Sequence, residues 1–266
     1  ILIGLVGSEM CIRDSYKVLF YKPETIITLS KKIKISSTLK KQSFNYHFNQ
    51  TKILKPFKVN INFEKYKRIF NLFSKKIRAG ETYQIKICTK YKNKSEINPV
   101  SFFWKLMKVN SSPEAFMIRD KNYSIVSCSP ETLIEKKGLK VTTKPIAGTL
   151  KKKQKLNKSK ALNFFKNNNK ETKEHNMIVD MERNDLSKIC KPGSVIIKRK
   201  KYVEEYKHLY HYVSTIEGRL KNNINLKNII KSMMPGGSVI GCPKIRTLQL
   251  LNLSLIHISE PTRPIR

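Results

Sequence analysis

Long apolar runs are missing from this 266-residue chain, and no stretch reaches the roughly 20 consecutive apolar residues that a membrane-spanning helix needs. Cysteine is sparse and unpatterned. Cys11, Cys88, Cys128, Cys190 and Cys242 form no Cys-x-x-Cys pair, which excludes a thiolate zinc site and a disulfide scaffold and leaves reduced thiols in a cytoplasmic setting as the expectation. No glycine run has the Walker spacing of a nucleotide-binding loop. No repeat and no βαβα alternation appear either, which excludes a solenoid and a doubly wound sheet. Acidic residues are few: 19 Asp and Glu stand against 54 Lys and Arg, a formal charge of +35.

That charge invites a nucleic-acid partner, because cations neutralising phosphates supply most non-specific affinity. Its distribution argues otherwise. Between residues 16 and 252 arginine is confined to Arg68, Arg78, Arg119, Arg183, Arg199, Arg219 and Arg246. Lysine is scattered everywhere beside Asn and Ile, as A/T-rich coding would leave it on a solvated surface. The densest run, Lys151 to Lys160, falls in an expected loop and carries no interleaved aromatics for base stacking. Neither a nucleic acid nor a membrane is expected as partner.

With 39% hydrophobic and 9% aromatic residues, the chain has enough apolar surface for a sizeable core. Its two ends read as foreign. Leu5–Ser15 (LVGSEMCIRDS) and Leu253–Arg263 (LSLIHISEPTR) are encodable by one DNA string and its inverted complement, as a sequencing adapter joined to both ends of a fragment would be. Residues 1–15 and 253–266 are therefore set aside as adapter translations, so Cys11 and His257 carry no functional meaning. The remainder divides into 16–59, the end of an N-terminal subdomain with weak signals, and 60–252.

In 60–252 the periodicity is mixed. Tyr66, Phe70, Phe73 and Ile77 recur at helical spacing over Phe63–Arg78, with a stop near Ala79-Gly80. Thr82–Cys88 alternates as a strand, Ser124–Val126 and Leu139–Thr143 read as further strands, Lys160–Val179 as mainly helical, and Gly193–Ile197 and Leu209–Ile216 as extended. The irregular order predicts an α+β fold.

Chemistry-bearing residues cluster in a few segments. Glu174 and His175 precede the apolar Met177-Ile178-Val179, and Mg2+ is a natural bridge between such a carboxylate and a carboxylate substrate. Read alone, Glu174 is a surface residue pairing with Lys170. Pro145–Thr149 (PIAGT) ends a strand with Gly148 where backbone must come close, and the Thr149 hydroxyl can donate to an anion. Pro235-Gly236-Gly237-Ser238 is a second hydroxyl-bearing turn, before Cys242-Pro243-Lys244. His211 supplies an imidazole, a side chain suited to proton transfer near neutral pH.

Four segments together, RAGETYQIKICTKY (78–91), SCSPETLIEKKGLKVTTKPIAGTL (127–150), EHNMIVDMERNDLSKICKPGSV (174–195) and HLYHYVSTIEGRL to GGSVIGCPKIR (208–246), resemble the chorismate-binding domain. Anthranilate synthase component I, aminodeoxychorismate (para-aminobenzoate) synthase component I and the isochorismate and salicylate synthases share that domain. The resemblance covers most of 60–252 and implies large antiparallel sheets flanked by helices, lacking the C-terminal part of the domain with its second metal carboxylate. It implies Glu174 as a Mg2+ ligand and His211 as the general acid beside the departing ring oxygen. It implies Gly148, Thr149, Gly237, Ser238, Gln84 and Lys244 as substrate-binding, and Asp180, Arg183, Asn184 and Asp185 as structural pairing around the site.

Gln84 stands where the hydrating members carry a lysine base. Glutamine cannot accept a proton at neutral pH, so amination of chorismate is expected, with ammonia from a glutamine amidotransferase subunit. Ala147 matches the alanine of anthranilate synthases, whereas Pro113-Glu114-Ala115 and the Gly-Gly-Ser turn lean towards the aminodeoxychorismate branch. A basic α+β binding protein that keeps the fold without the chemistry is the alternative of another class.

Overall fold

In a computed structural model of the chain, residues 25–29, 33–37, 56–119 and 123–259 are described, with side chains over 56–119 and 123–252. The expected foreign segment 1–15 lies outside them, as does 260–266 of the other. Two short strands, β1 (Thr25–Leu29) and β2 (Ile33–Ser37), pair antiparallel. Then follow β3 (Lys58–Val59), helix α1 (Phe63–Arg78), β4 (Gln84–Ile85), β5 (Tyr91–Lys92) and helix α2 (Pro99–Val109). A hairpin of β6 (Glu114–Arg119) and β7 (Ser124–Ser129) leads to β8 (Thr132–Lys137), β9 (Lys140–Lys144) and β10 (Ile146–Lys151).

Helices α3 (Lys158–Asn167) and α4 (Asn169–Ile189) come next, before the long strands β11 (Ile196–Glu205) and β12 (Leu209–Arg219). Helix α5 (Leu226–Met233), a short turn α6 (Gly237–Ile240), β13 (Gly241–Cys242) and α7 (Lys244–Ser259) complete the order. All strand pairings are antiparallel. The expected α+β class is therefore the observed one.

Strand β12 is the axis of the main sheet. One edge of it pairs with β10 at 209–213 and with β9 at 216–219, and its other edge pairs with β11. Helices cover one sheet face. Val141, Ile216 and Leu220 meet Val179, Leu186 and Ile189 of α4 and Ile229 and Met233 of α5. Ala161 and Phe165 of α3 meet Val203, Tyr210 and Tyr212, and Phe165 stacks on Tyr212 at 5.0 Å. Each large side chain buried this way contributes about 2–3 kcal/mol before its ordering cost is counted.

The sequence expectations need adjustment in three places. Helix α1 has the expected limits, but Ile69 and Phe73 are buried while Phe70 and Ile77 stay exposed, so the buried stripe is rotated from the one the aromatics suggest. Only Gln84–Ile85 of Thr82–Cys88 forms a strand. Lys160–Val179 is broken at Asn168, which ends α3 and caps α4 through Lys170 N and Glu171 N. Asparagines also cap α1, α2, α3 and α5, each substituting for an absent amide partner at about 1 kcal/mol. The Asn-rich composition thus has structural work at helix starts.

Candidate active site

Helix α4 carries the site. Glu171, Glu174, His175, Ile178, Met181, Glu182 and Asp185 recur at three- and four-residue spacing, which sets them along one side of the helix. Three of the sequence motifs converge on that side. Ala147 of β10 packs on Ile178 and Met181. Gly148 approaches so closely that an added Cβ would lie 2.9 Å from Phe165 Cε1 and 3.0 Å from Glu171 Oε2, and its φ of +108° favours glycine independently. Gly237 lies against Met181, whose Sδ an added Cβ would meet at 1.9 Å.

Gln84 reaches Glu174 from the far side of the chain. Its Nε2 donates to Glu174 Oε1 at 3.2 Å, while its Oε1 is buried with no partner. The β4–β13 pair sets this up: Tyr83 N donates to the Cys242 carbonyl at 2.7 Å and Lys86 N to that of Ile240 at 3.0 Å. Gly241 permits it, since a Cβ there would sit 1.9 Å from the Gln84 carbonyl oxygen.

His211 and Thr149 form a second pair, Oγ1 to Nδ1 at 3.0 Å. They are cross-strand partners on β12 and β10, and Glu204 faces His211 from β11. The Glu204 carboxylate accepts from the hydroxyls of Tyr206 (2.8 Å) and Tyr202 (3.1 Å), and the Tyr206 ring meets the imidazole edge-on at 5.1 Å. Burial holds the His211 pKa below its ordinary value, with the Gly148 carbonyl and Glu204 acting in the opposite sense. A cavity of about 480 Å3 opens beside β11, lined by Tyr202, Glu204 and Tyr206 among others.

Strand β10 links α4 to the second pair: Ala147 packs on Ile178, one turn after Glu174, and Thr149 meets His211. A register shift between Ile146 and Thr149 lets it do so. In a regular strand Ala147 and Thr149 would point to the same face. The extra residue turns them to opposite faces, Ala147 onto α4 and Thr149 beside His211.

Two carboxylates here were not singled out from sequence. Glu131 accepts the Ile146 amide at 3.1 Å, and burial raises its pKa against that bond, Lys86 and the Ser238 hydroxyl. Glu182 is 2% exposed and accepts from Thr143 Oγ1 at 3.3 Å. Burial first, then the neighbouring Asp185 and Glu131, push it to about 8. Sequence did hold a signal for Glu182, which lies four residues from both Ile178 and Leu186, on the buried stripe of α4, where an unpaired acid is rarely found.

Lys244, for which the resemblance implies substrate binding, meets protein partners in the fold. Its ammonium donates to Asp185 Oδ2 at 2.7 Å and to the Ser232 carbonyl at 2.6 Å; Asp185 is buried and Lys244 half-buried. It joins α4, α5 and α7, and its charge is taken up there. Asp180 and Arg183, expected to pair structurally, are 3.3 Å apart. Ser238 is buried at the start of α6 beside Glu131.

Among the described residues no group of three His, Cys, Asp or Glu side chains could enclose a metal ion by itself. The residues present do fit a Mg2+ that completes its shell elsewhere. Glu174 offers a carboxylate, and the orphaned Gln84 oxygen beside it leaves an acceptor that a hard cation, a water or an N–H donor can satisfy. No helix among the described residues is long and apolar enough to cross a membrane.

The chain matches the chorismate binding enzyme family over residues 5–253. It is 35% identical over 188 residues to aminodeoxychorismate synthase component 1 of Bacillus subtilis, covering 70% of this chain and 39% of that protein. To anthranilate synthase component 1 of Haloarcula marismortui it is 35% identical over 177 residues, covering 66% and 36%. Among solved structures, anthranilate synthase component I from Streptococcus pneumoniae superposes with a TM-score of 0.66 at 30% identity, over 74% of this chain and 43% of that one. The chain thus spans well under half the length of these relatives. Its motifs, antiparallel sheet and matched range agree: it belongs to the chorismate binding enzymes.

Proposed function

We propose that this chain is part of component I of a chorismate-aminating synthase, which binds chorismate with Mg2+ and aminates it with ammonia supplied by a glutamine amidotransferase partner. Gln84 carries this reading. Its amide nitrogen is committed to Glu174, and its buried, unpartnered oxygen can accept an N–H of incoming ammonia. A glutamine at this place cannot deprotonate water, which disfavours hydration.

Glu174 would hold the metal, and Mg2+ when bound would neutralise a substrate carboxylate. The Thr149 hydroxyl and Gly148 amide would orient a substrate carboxylate from the β10 bulge. His211 would give a proton to the C4 hydroxyl as the C4–O bond breaks, releasing water. The nitrogen lone pair forms the new C–N bond. Burial disfavours the charged form of His211, while the Gly148 carbonyl and Glu204 favour it.

Within this class the aminodeoxychorismate branch is slightly preferred, because Pro113-Glu114-Ala115 departs from the Pro-Tyr-Met of anthranilate synthases and the Pro235-Gly236-Gly237-Ser238 turn resembles the aminodeoxychorismate branch. Glu114 here accepts from the Thr132 hydroxyl, which commits it to the sheet. The anthranilate reading has one observation in its favour: Ala147, where an attacking lysine would stand in many members of the other branch, packs against Ile178 and Met181. The test is the intact gene product with chorismate, Mg2+ and ammonium, followed by mass. Aminodeoxychorismate without pyruvate supports the preferred branch, and anthranilate with pyruvate the other. Isochorismate would refute amination.

A further inference from the structure

Strand β12 is flanked on both sides by bulged strands, one bulge of each lying at nearly the same level. On one side β10 carries its extra residue between Ile146 and Thr149, opposite Val213 and His211. On the other, β11 carries one between Arg199 and Tyr202, opposite Thr215 and Val213. Lys201 in the second bulge has φ +51°, the one non-glycine residue with positive φ among those described. A bulge frees backbone groups from the ladder, and buried ones must find partners elsewhere.

Here one side-chain chain serves both. Lys201 N donates to Ser214 Oγ at 3.0 Å, Ser214 Oγ and His175 Nε2 are 2.7 Å apart, and His175 Nδ1 meets the Ala147 carbonyl at 3.3 Å. Ser214 and His175 are fully buried. The directions follow from the ends. A carbonyl only accepts, so His175 carries its proton on Nδ1. In the neutral ring Nε2 is then the acceptor, and the Ser214 hydroxyl, already receiving the Lys201 amide, gives it its single proton. The imidazole packs at a 42° tilt on Tyr212, 4.6 Å away, which is itself stacked on Phe165.

We infer that His175, oriented by Ser214, is a positioning residue: it holds the β10 bulge through the Ala147 carbonyl and so keeps Thr149 turned towards His211. It touches neither substrate nor Thr149. Its effect is to stop β10 from relaxing into regular register, which would return Thr149 to the α4 face. The consequence for turnover rests on the proposed chorismate chemistry; the consequence for the strand does not.

The test compares His175→Asn, His175→Gln and His175→Leu in the intact gene product. Asparagine can place a donor where Nδ1 stands, glutamine reaches only the Nε2 position, and leucine offers neither. Expected is a KM for chorismate within about threefold of the parent for the asparagine variant and raised about tenfold for the other two, with kcat changed less. Hydrogen exchange across residues 145–151 is read on the same proteins. Exchange should quicken in the glutamine and leucine variants and stay near parental in the asparagine variant. Should glutamine and asparagine behave alike in both readouts, or all three follow only their melting temperatures, the inference is overturned. A parent that does not turn over chorismate refutes the proposed function instead, and exchange then decides this inference alone. If the leucine variant does not fold, the asparagine–glutamine contrast still decides.

Discussion

Replacing Glu182 with glutamine should stabilise the protein at neutral pH and do little in mild acid, the reverse of what removing a carboxylate usually does. Glu182 is 2% exposed, its nearest donor is the Thr143 hydroxyl, and Asp185 and Glu131 oppose its ionisation while Lys244 favours it. Its pKa is about 8 in the fold against an ordinary 4.5. The folded state therefore binds the extra proton between those values, so stability falls as pH rises through this window. From 4.5 to pH 7 the unfolded chain gains about 1.4 kcal/mol per unit from ionising, a cost to folding of roughly 3 kcal/mol that Glu182→Gln removes. The assay is urea unfolding of parent and variant at pH 5, 6, 7 and 8. Comparing the two cancels other titrating groups, His175 included. The expected gap is small at pH 5 and widens in the variant's favour towards pH 8. A gap constant across pH would show that Glu182 does not titrate in this range, and the argument from burial would be wrong.

Other outcomes follow from single contacts. Lys244→Met takes one of two cations from buried Asp185, Lys188 remaining at 2.7 Å on its other oxygen, and should cost about 1–3 kcal/mol in an unfolding titration; unchanged stability with a raised KM for chorismate would show that Lys244 serves substrate rather than Asp185. Gly148→Ala combines φ +108° with a Cβ 2.9 Å from Phe165 and should lower stability by about 2–3 kcal/mol, which a melting curve will check. Gln84→Leu removes the bond to Glu174 and the unpartnered acceptor together. It should reduce ammonia-dependent turnover at least about tenfold while stability changes by less than about 1 kcal/mol; retained turnover would exclude Gln84 from handling ammonia.

How far the sequence reached depends on which force sets each feature. The α+β class and the limits of α1 follow from local patterning, and the structure has both. The site residues could be named because the four motif segments resemble a known family, and the structure brings Gln84 to Glu174 and Thr149 to His211. What sequence could not give is long-range. The partner of Lys244 is invisible locally, since Asp185 lies 59 positions away. Glu131 reads as a loop acid until the Ile146 amide closes on it. The β10 bulge depends on Ser214 and His175, residues 39 apart in sequence, and no local propensity encodes an extra residue in one strand of a pair. The rotated stripe of α1 has the same origin, since the position of Leu250 on α7 decides which of its apolar residues are covered.

The central claim, amination of chorismate, is tested most directly by giving the intact gene product chorismate, Mg2+ and 15N-ammonium and weighing the products. The account predicts a ring product carrying 15N and no turnover when Mg2+ is chelated. Isochorismate, or unchanged chorismate from a folded, Mg2+-supplied protein, would contradict it.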